Sequence, residues 1–375
     1  MTKKRIALLG LYGGPFREYN PGCFMIGWQT LRELQRRIPG AQFDIYSIDN
    51  FAPYDGLQVE EERGVALNFF GRHYQMDLLE ENLSSYDLLV VGGDIVWGGV
   101  PGLDNDIFLL NSQPFLERPT PAVAFNSVYS FYTCETFGEA REKFANACNR
   151  AKYVSVRTMY MKKMMEDQGI ENVSFVPDPV LALDMSVFNG REPVVKLPAS
   201  SKPKLGISIS ALSVYELIEA LRNVDLDGFD VWLYPYTRQF HTIETVLRVK
   251  KAFGPRFNYI EQYLDPVESF RLIGQFDTSL NDTLHGTIAA MIQGVSFIVI
   301  NGEDMRISRL EHLLSLFGLE GKMIRQGESF SENAAAWAEA LPHFLANPLR
   351  VAEDDLTRVR ASIQEHFDNI AALVD

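Results

Sequence analysis

Short apolar runs rich in β-branched residues alternate along this chain with longer stretches whose apolar positions recur every three or four residues. The first run is Arg5–Leu11 (RIALLGL), followed by a glycine-rich turn and a helical pattern over Met25–Arg37. Further strands are expected at Phe43–Ile48, Leu88–Val91, Ala122–Phe125, Tyr153–Val156 and Val173–Val176, with helices over Glu139–Arg150 and Met159–Gln168. A stretch rich in Pro, Ser and charge, Asn189–Pro203 (NGREPVVKLPASSKP), interrupts the rhythm and reads as a linker. Beyond it the alternation restarts. Strands are expected at Leu205–Ile209, Val231–Tyr234, Tyr259–Ile260, Thr278–Leu280 and Phe297–Ile300. Helices are expected over Val214–Arg222, Thr242–Phe253, around Pro266–Ile273 and after His285, and the polar Asn347–Val374 also reads as helical. Alternation of this kind predicts βαβ units on mostly parallel sheets, hence an α/β fold. We expect one domain over 1–190, forming the acceptor side, a second over 200–345, forming the donor side, and a C-terminal helix (346–375) packing back on the first.

Composition narrows the partners. The chain has 375 residues, of which 46% are hydrophobic and 22% charged, enough apolar material for two cores. Its formal charge is −14, and divided at Asp184 each half carries half of it. With no basic half, tail or run, nucleic acid and anionic membrane surfaces are poor partners, while a small anionic substrate held by a few arginines is not excluded. The three cysteines (Cys23, Cys134 and Cys148) lack CxxC spacing, so they suggest neither a disulfide framework nor a zinc site. The apolar run after Lys3-Lys4-Arg5 is too short for a signal core, and no stretch reaches the roughly 18 apolar residues of a membrane span. The expectation is a soluble cytoplasmic protein without an integral membrane segment. Self-association into a homo-oligomer stays open.

In open parallel sheets, ligands collect beyond the carboxyl ends of the strands, where turns meet helix N-termini. The turn after Arg5–Leu11 offers Gly13, Gly14 and Asn20; its glycines either let backbone approach a ligand or serve a positive φ. After Leu88–Val91 come Gly92, Gly93 and Asp94, a phosphate or sugar loop in one reading and a helix cap in the other. Arg157 ends the strand Tyr153–Val156, placed to clamp a carboxylate or phosphate, or else to pair internally with Asp178. Asn281, Thr283 and His285 follow Thr278–Leu280 and open a helix; a histidine there suits a general acid or a phosphate contact. Arg238, three residues before His241, and Arg306, after Phe297–Ile300, complete the cationic candidates. GxGxxG, GxSxG, P-loop lysine and HExxH motifs do not occur, and no carboxylate spacing suggests a metal cage.

The segment VSVRTMYMKKMMEDQGIENVSFVPDPVLAL (Val154–Leu183) resembles the part of the polysaccharide pyruvyl transferase family in which a strand ends in Ser-x-Arg and a later strand in an Asp-Pro turn. DTLHGTIAAMIQGVSFIVI (Asp282–Ile300) resembles that family's Arg-Leu-His block, Arg306 falls about where the family has a lysine, and Gly13–Gly22 and Val91-Gly92-Gly93 match its glycine loops. The resemblance implies two Rossmann-like domains in a GT-B-like arrangement with an active site in an interdomain cleft. It implies transfer of the pyruvyl group of phosphoenolpyruvate, a co-substrate rather than a bound cofactor, onto a saccharide or saccharide precursor, as in exopolysaccharide and cell-surface glycan synthesis. By the same resemblance His285 is the acid or phosphate partner and Arg306 an anion clamp. Three positions depart from the family pattern. Thr283 stands for an arginine, Cys23 for an acidic residue, and Ser208-Ile209-Ser210 runs where an arginine is often found. Two alternatives stay open: a GT-B-type glycosyltransferase using a nucleotide sugar, since that architecture would be shared, and a saccharide-binding or scaffold protein that has lost catalysis, which Thr283 and Cys23 make plausible.

Overall fold

A computed structural model describes residues 3–11, 20–47, 67–70, 82–92, 95–97, 122–130, 148, 151–190, 192–237, 241–301, 308–325 and 329–374. The chain divides into two compact units. Met1–Phe16, Cys23–Ala182 and Val359–Asp375 form the first; Arg17–Gly22 and Leu183–Arg358 form the second.

In the first unit the described strands are β1 (Arg5–Leu11), β2 (Gln42–Ser47), β3 (Leu67–Phe70), β4 (Leu88–Val91), β5 (Ile95–Trp97), β6 (Ala122–Ser130), β7 (Tyr153–Val156) and β8 (Val173–Phe175). All pair in parallel, in the order β3-β2-β1-β4-β6-β7-β8, with β5 beside β6. All four residues of β4 are buried, as expected of a central strand covered on both faces. Helix α1 (Pro21–Arg37) follows β1. Helix α2 (Met159–Asp167) is capped by Thr158, whose side chain accepts from the Met161 N–H, and turns Met161, Met164 and Met165 inward, at helical spacing, onto Val123, Val154 and Val156. The strand expected at Ala122–Phe125 runs on to Ser130. A register shift between Phe125 and Val128, with Ser127 at φ 47°, absorbs the extra residue and lets pairing with β7 continue. The helix expected over Glu139–Arg150 lies almost wholly outside the described residues.

The second unit restarts with β9 (Lys204–Ser208) and helix α3 (Val214–Asn223), then β10 (Asp230–Leu233) and α4 (Thr242–Phe253). It continues through β11 (Asn258–Tyr259), α5 (Pro266–Ile273), β12 (Thr278–Asn281), α6 (Leu284–Ile292), β13 (Ser296–Asn301), α7 (Arg309–Ser315), β14 (Ile324–Arg325) and α8 (Phe330–Ala346). Its strand order is β11-β10-β9-β12-β13-β14, again all parallel, the doubly wound order of a dinucleotide-type domain. Leu205, Ile207, Leu233, Leu280 and Ile298 meet Leu217, Leu221 and Trp337 in its core. The Pro- and Ser-rich stretch 189–203 is tied down. The Val194 N–H donates to Glu268 Oε2 at 2.8 Å, and Gln275 bridges the Leu197 N–H and the Val195 carbonyl at 2.8 Å each.

The last helix, α9 (Glu353–Ala371), begins six residues later than expected, because Leu349 pairs with Phe297 at the sheet. From Val359 onward it belongs to the first unit. Arg37 of α1 donates to Asp368 Oδ1 (2.6 Å) and to the Gln364 carbonyl (2.8 Å). Buried His366 lies between Asn126 Oδ1 (2.8 Å from Nε2) and Tyr153 Oη (3.0 Å from Nδ1), and Asn126 donates on to Thr30. Burial, with nearby Arg37 adding to it, pushes the imidazole pKa down to about 3. In the unfolded chain it takes up a proton near pH 6.5, so stability is intact above that pH. It falls by up to about 1.4 kcal/mol per unit as pH drops from 6.5 toward 3. His366→Gln keeps a donor and an acceptor without the titration. Urea unfolding near pH 7.5 and pH 5 should show a smaller loss for the variant than for the native chain.

Among the described residues, no helix is long and apolar enough to cross a membrane.

Candidate active site

The second sheet reverses its winding between β9 and β12, so its topological switch point, where ligands of such sheets bind, lies at the carboxyl ends of those two strands. Ser208 and Asn281 face each other there in the parallel register. Buried Asn281 is fixed from below: its Oδ1 accepts from the Tyr234 hydroxyl at 3.1 Å, and its Nδ2 donates to Ser279 Oγ at 2.8 Å. Burial pushes the Tyr234 pKa up, so the hydroxyl stays protonated and able to donate.

Thr283 occupies the N-cap of α6 with extended backbone (φ −110°, ψ 141°) yet makes no side-chain capping bond. The contrast with Thr158 and Asp265 is direct. Those side chains accept from first-turn N–H groups of α2 and α5, Asp265 from Val267 and Glu268 at 2.9 and 3.0 Å. The first turn of α6 thus lacks a side-chain cap, with the positive end of the helix at the switch point. Gly286 keeps this turn compact. A Cβ there would lie 2.6 Å from Thr283 Oγ1 and 2.9 Å from Asn281 Oδ1.

His285 is the second residue of α6 and only 5% exposed. One wall of its position is Gly22, which belongs to the second unit although α1 continues into the first. A Cβ on Gly22 would fall 1.9 Å from His285 Cγ and 2.0 Å from Nδ1. The Gly22 N–H donates to Asn20 Oδ1 at 3.1 Å, so Asn20 sets the turn that brings this glycine against the imidazole. Gly22→Ala is therefore expected to displace the ring and cut activity at least tenfold, with a cooperative unfolding transition retained. Parallel rate and melting measurements on the variant test this, and an unchanged rate would remove Gly22 from the site.

Between Asn281 and Thr283, Asp282 accepts the Ser210 N–H at Oδ2 (2.8 Å). Burial pushes its carboxyl pKa up to about 7, opposed by that hydrogen bond.

The structure thus gathers Asn20, Asn281, Thr283 and His285 of the sequence candidates within one unit, and adds Gly22, Tyr234 and Asp282. Gly22 and Asp282 lie inside the quoted turns, but neither residue type signals an imidazole contact or a buried carboxyl from sequence alone. Of the two readings open for Arg157, the internal pair is formed. Its Nη1 lies 3.0 Å from Asp178 Oδ2, with the two side chains 4% and 3% exposed. Gly92 follows β4 with φ 90°, a conformation that favours glycine, and its N–H donates to the Leu9 carbonyl. Gly13, Gly14, Gly93, Asp94, Arg238 and Arg306 lie outside the described residues.

A family model described as polysaccharide pyruvyl transferase matches residues 20–304. No curated protein matches the sequence. Among solved structures the chain is similar to UDP-GlcNAc 2-epimerase from Neisseria meningitidis bound to UDP-GlcNAc, at 11% identity and TM-score 0.60, covering 99% of each chain. It is also similar to α,α-trehalose 6-phosphate synthase from Burkholderia multivorans, at 11% identity and TM-score 0.56, covering 100% of each. Against a point mutant of Thermobaculum terrenum O-GlcNAc transferase the TM-score is 0.52 at 15% identity, and 98% of this chain spans 64% of that one. At these identities the likeness is one of fold, that of the GT-B enzymes.

Proposed function

The chain belongs to the polysaccharide pyruvyl transferase family, and from that premise we propose that it moves the pyruvyl group of phosphoenolpyruvate onto two hydroxyls of a saccharide, closing a cyclic ketal and releasing phosphate. The observation that carries the reading is His285 at the start of α6, held against Gly22 inside the matched region. His285 protonates the methylene carbon of the donor, leaving the adjacent carbon cation-like. A saccharide hydroxyl attacks that carbon, the C–O bond to phosphate breaks, and a second hydroxyl closes the ketal. Of the two hydroxyl protons released, one restores the acid and one leaves with phosphate. The first-turn N–H groups and positive end of α6 favour the anionic donor, and developing charge is stabilised by groups already in place.

The rival reading, glycosyl transfer from a nucleotide sugar, draws on fold likeness alone. A melting-temperature screen separates the two. Phosphoenolpyruvate is expected to raise the transition and nucleotide sugars to leave it in place. The reverse pattern would favour glycosyl transfer, and no shift with either would favour a binding protein without catalysis.

A further inference from the structure

Asp282 stands one residue before the N-cap of α6, at the helix end to which the donor's negative charge is assigned. Its Oδ2 accepts the Ser210 N–H at 2.8 Å, which fixes the group beside the end of β9. Its Oδ1 is buried and has no hydrogen-bond partner among the described residues. No cation neutralises it. The elements that form the switch point, β9, β12, β13 and α6, carry two titratable side chains: Lys204, at the opposite end of β9, and His285. Tyr234 of β10 stays a neutral hydroxyl, held so by burial and then by the Asp282 charge. The flanking helices bring Glu216 and the within-helix pairs Glu219–Arg222, Glu244–Arg248 and Glu268–Arg271, and α7 brings Arg309, Glu311 and His312. None forms an ion pair with Asp282 among the described residues.

A carboxylate so placed and an anion on the first turn of α6 oppose each other. Two negative charges within roughly 12 Å, at an effective dielectric of about 20, weaken a binding constant by about tenfold. Adjacent Cα atoms lie about 3.8 Å apart, so an anion on the first turn falls inside that range. Burial pushes the Asp282 carboxyl up to about 7, against the lowering pull of backbone N–H groups, so the group changes charge near neutrality. We propose that Asp282 is a charge gate on the anion site of α6: the anion binds to the form in which Asp282 carries a proton, and filling the site takes up a proton there. Asp282 acts through its charge and not by contact, which makes it a determinant of donor affinity rather than a catalytic residue. The inference rests on the proposed pyruvyl transfer for the identity of the anion alone. Affinity is then fullest below pH 7 and falls as Asp282 ionises above it.

The test is titration calorimetry of the full chain with sodium sulfate at pH 6 and pH 9, at constant ionic strength. Sulfate stays a dianion across that range, so its own titration does not enter. At pH 9 Asp282→Asn is expected to bind sulfate about tenfold more tightly than the native chain, and at pH 6 about equally well. Asparagine is isosteric, keeps the acceptor for the Ser210 N–H and carries no charge, and a merely structural role for Asp282 would not produce a tighter-binding variant. Repeating the titration in two buffers of different ionisation enthalpy counts the protons taken up. His285→Gln removes the other titratable group of the turn and is expected still to take up about half a proton near pH 7.5. That measurement stands independently should the asparagine variant fail to fold. Equal or weaker binding by Asp282→Asn at pH 9, or no proton uptake by His285→Gln, would overturn the proposal. So would the absence of sulfate binding by the native chain at tens of millimolar at pH 6. The melting shift with phosphoenolpyruvate, measured in parallel, reports the donor reading separately. Proton-linked sulfate binding without that shift sinks the pyruvyl reading and supports the gate.

Discussion

Replacing His285 with Gln is expected to lower the rate of pyruvyl transfer by a factor of about 10²–10⁴, with a melting temperature close to that of the native chain. The expectation follows from where the imidazole sits. It is nearly buried, on the first turn of a helix whose N-cap residue makes no side-chain capping bond, and Gly22 leaves room for the ring and for nothing more. Glutamine fills much of the same space and keeps polar atoms there, but it cannot hand over a proton. The donor would still meet the helix N-terminus, so the loss should fall mainly on turnover rather than on donor affinity. A histidine that served only packing would behave in the opposite way, with a lower melting temperature and normal turnover of the folded fraction. Near-native turnover in well-folded His285→Gln would remove this residue from the mechanism.

Arg157→Leu is expected to cost about 3–5 kcal/mol of stability. The variant strands Asp178, whose carboxylate faces the guanidinium at 3.0 Å in an almost fully buried setting. Asp178 also accepts the Val180 N–H at 3.0 Å, and Arg157 Nε reaches the Ser127 carbonyl at 3.4 Å. The pair thereby joins the end of β7 to the turn after β8 and to the irregular middle of β6. Breaking it leaves a buried carboxylate without its guanidinium; replacing both ends relieves that charge. Arg157→Leu combined with Asp178→Asn should therefore recover part of the loss, a non-additivity that urea unfolding of the two single variants and the double variant measures directly. Equal and additive losses would mean that the pair is solvated.

These two positions, one histidine and one arginine, illustrate how far the sequence is legible. Leu88–Val91 and Tyr153–Val156 are short, apolar and β-branched, and the structure forms strands over those same residues. Pro266–Ile273 begins with Asp-Pro and Thr242–Phe253 ends before glycine, and both helices run as expected because the ends are written locally. The helix Phe330–Ala346 also carries a local signal, Ser329 with Glu332 three residues on, but Pro342 and an alanine-rich face blur its apolar stripe. Asn347–Ala352 reads as helix by composition and is instead drawn to the sheet by Leu349, a tertiary preference that no local pattern contains.

The site divides in the same way. That a turn after a strand and before a helix carries His285 follows from alternation alone. That Gly22 presses against that ring, or that Asp282 is driven toward a neutral carboxyl, depends on contacts between segments far apart in the chain. Arg157 lies at the end of a strand in sequence, where a ligand clamp is expected; only the burial of Asp178 beside it decides for the internal pair.

The most direct test of the pyruvyl transferase account follows the donor carbon. Phosphoenolpyruvate labelled with ¹³C at its enol carbon would be incubated with the native chain and candidate saccharides, and carbon NMR recorded alongside phosphate release. The account predicts that the enol resonance is replaced by that of a quaternary ketal carbon on the saccharide, with one phosphate released for each ketal formed. Unchanged label beside consumption of a nucleotide sugar, with the saccharide extended by a glycosyl unit, would contradict it.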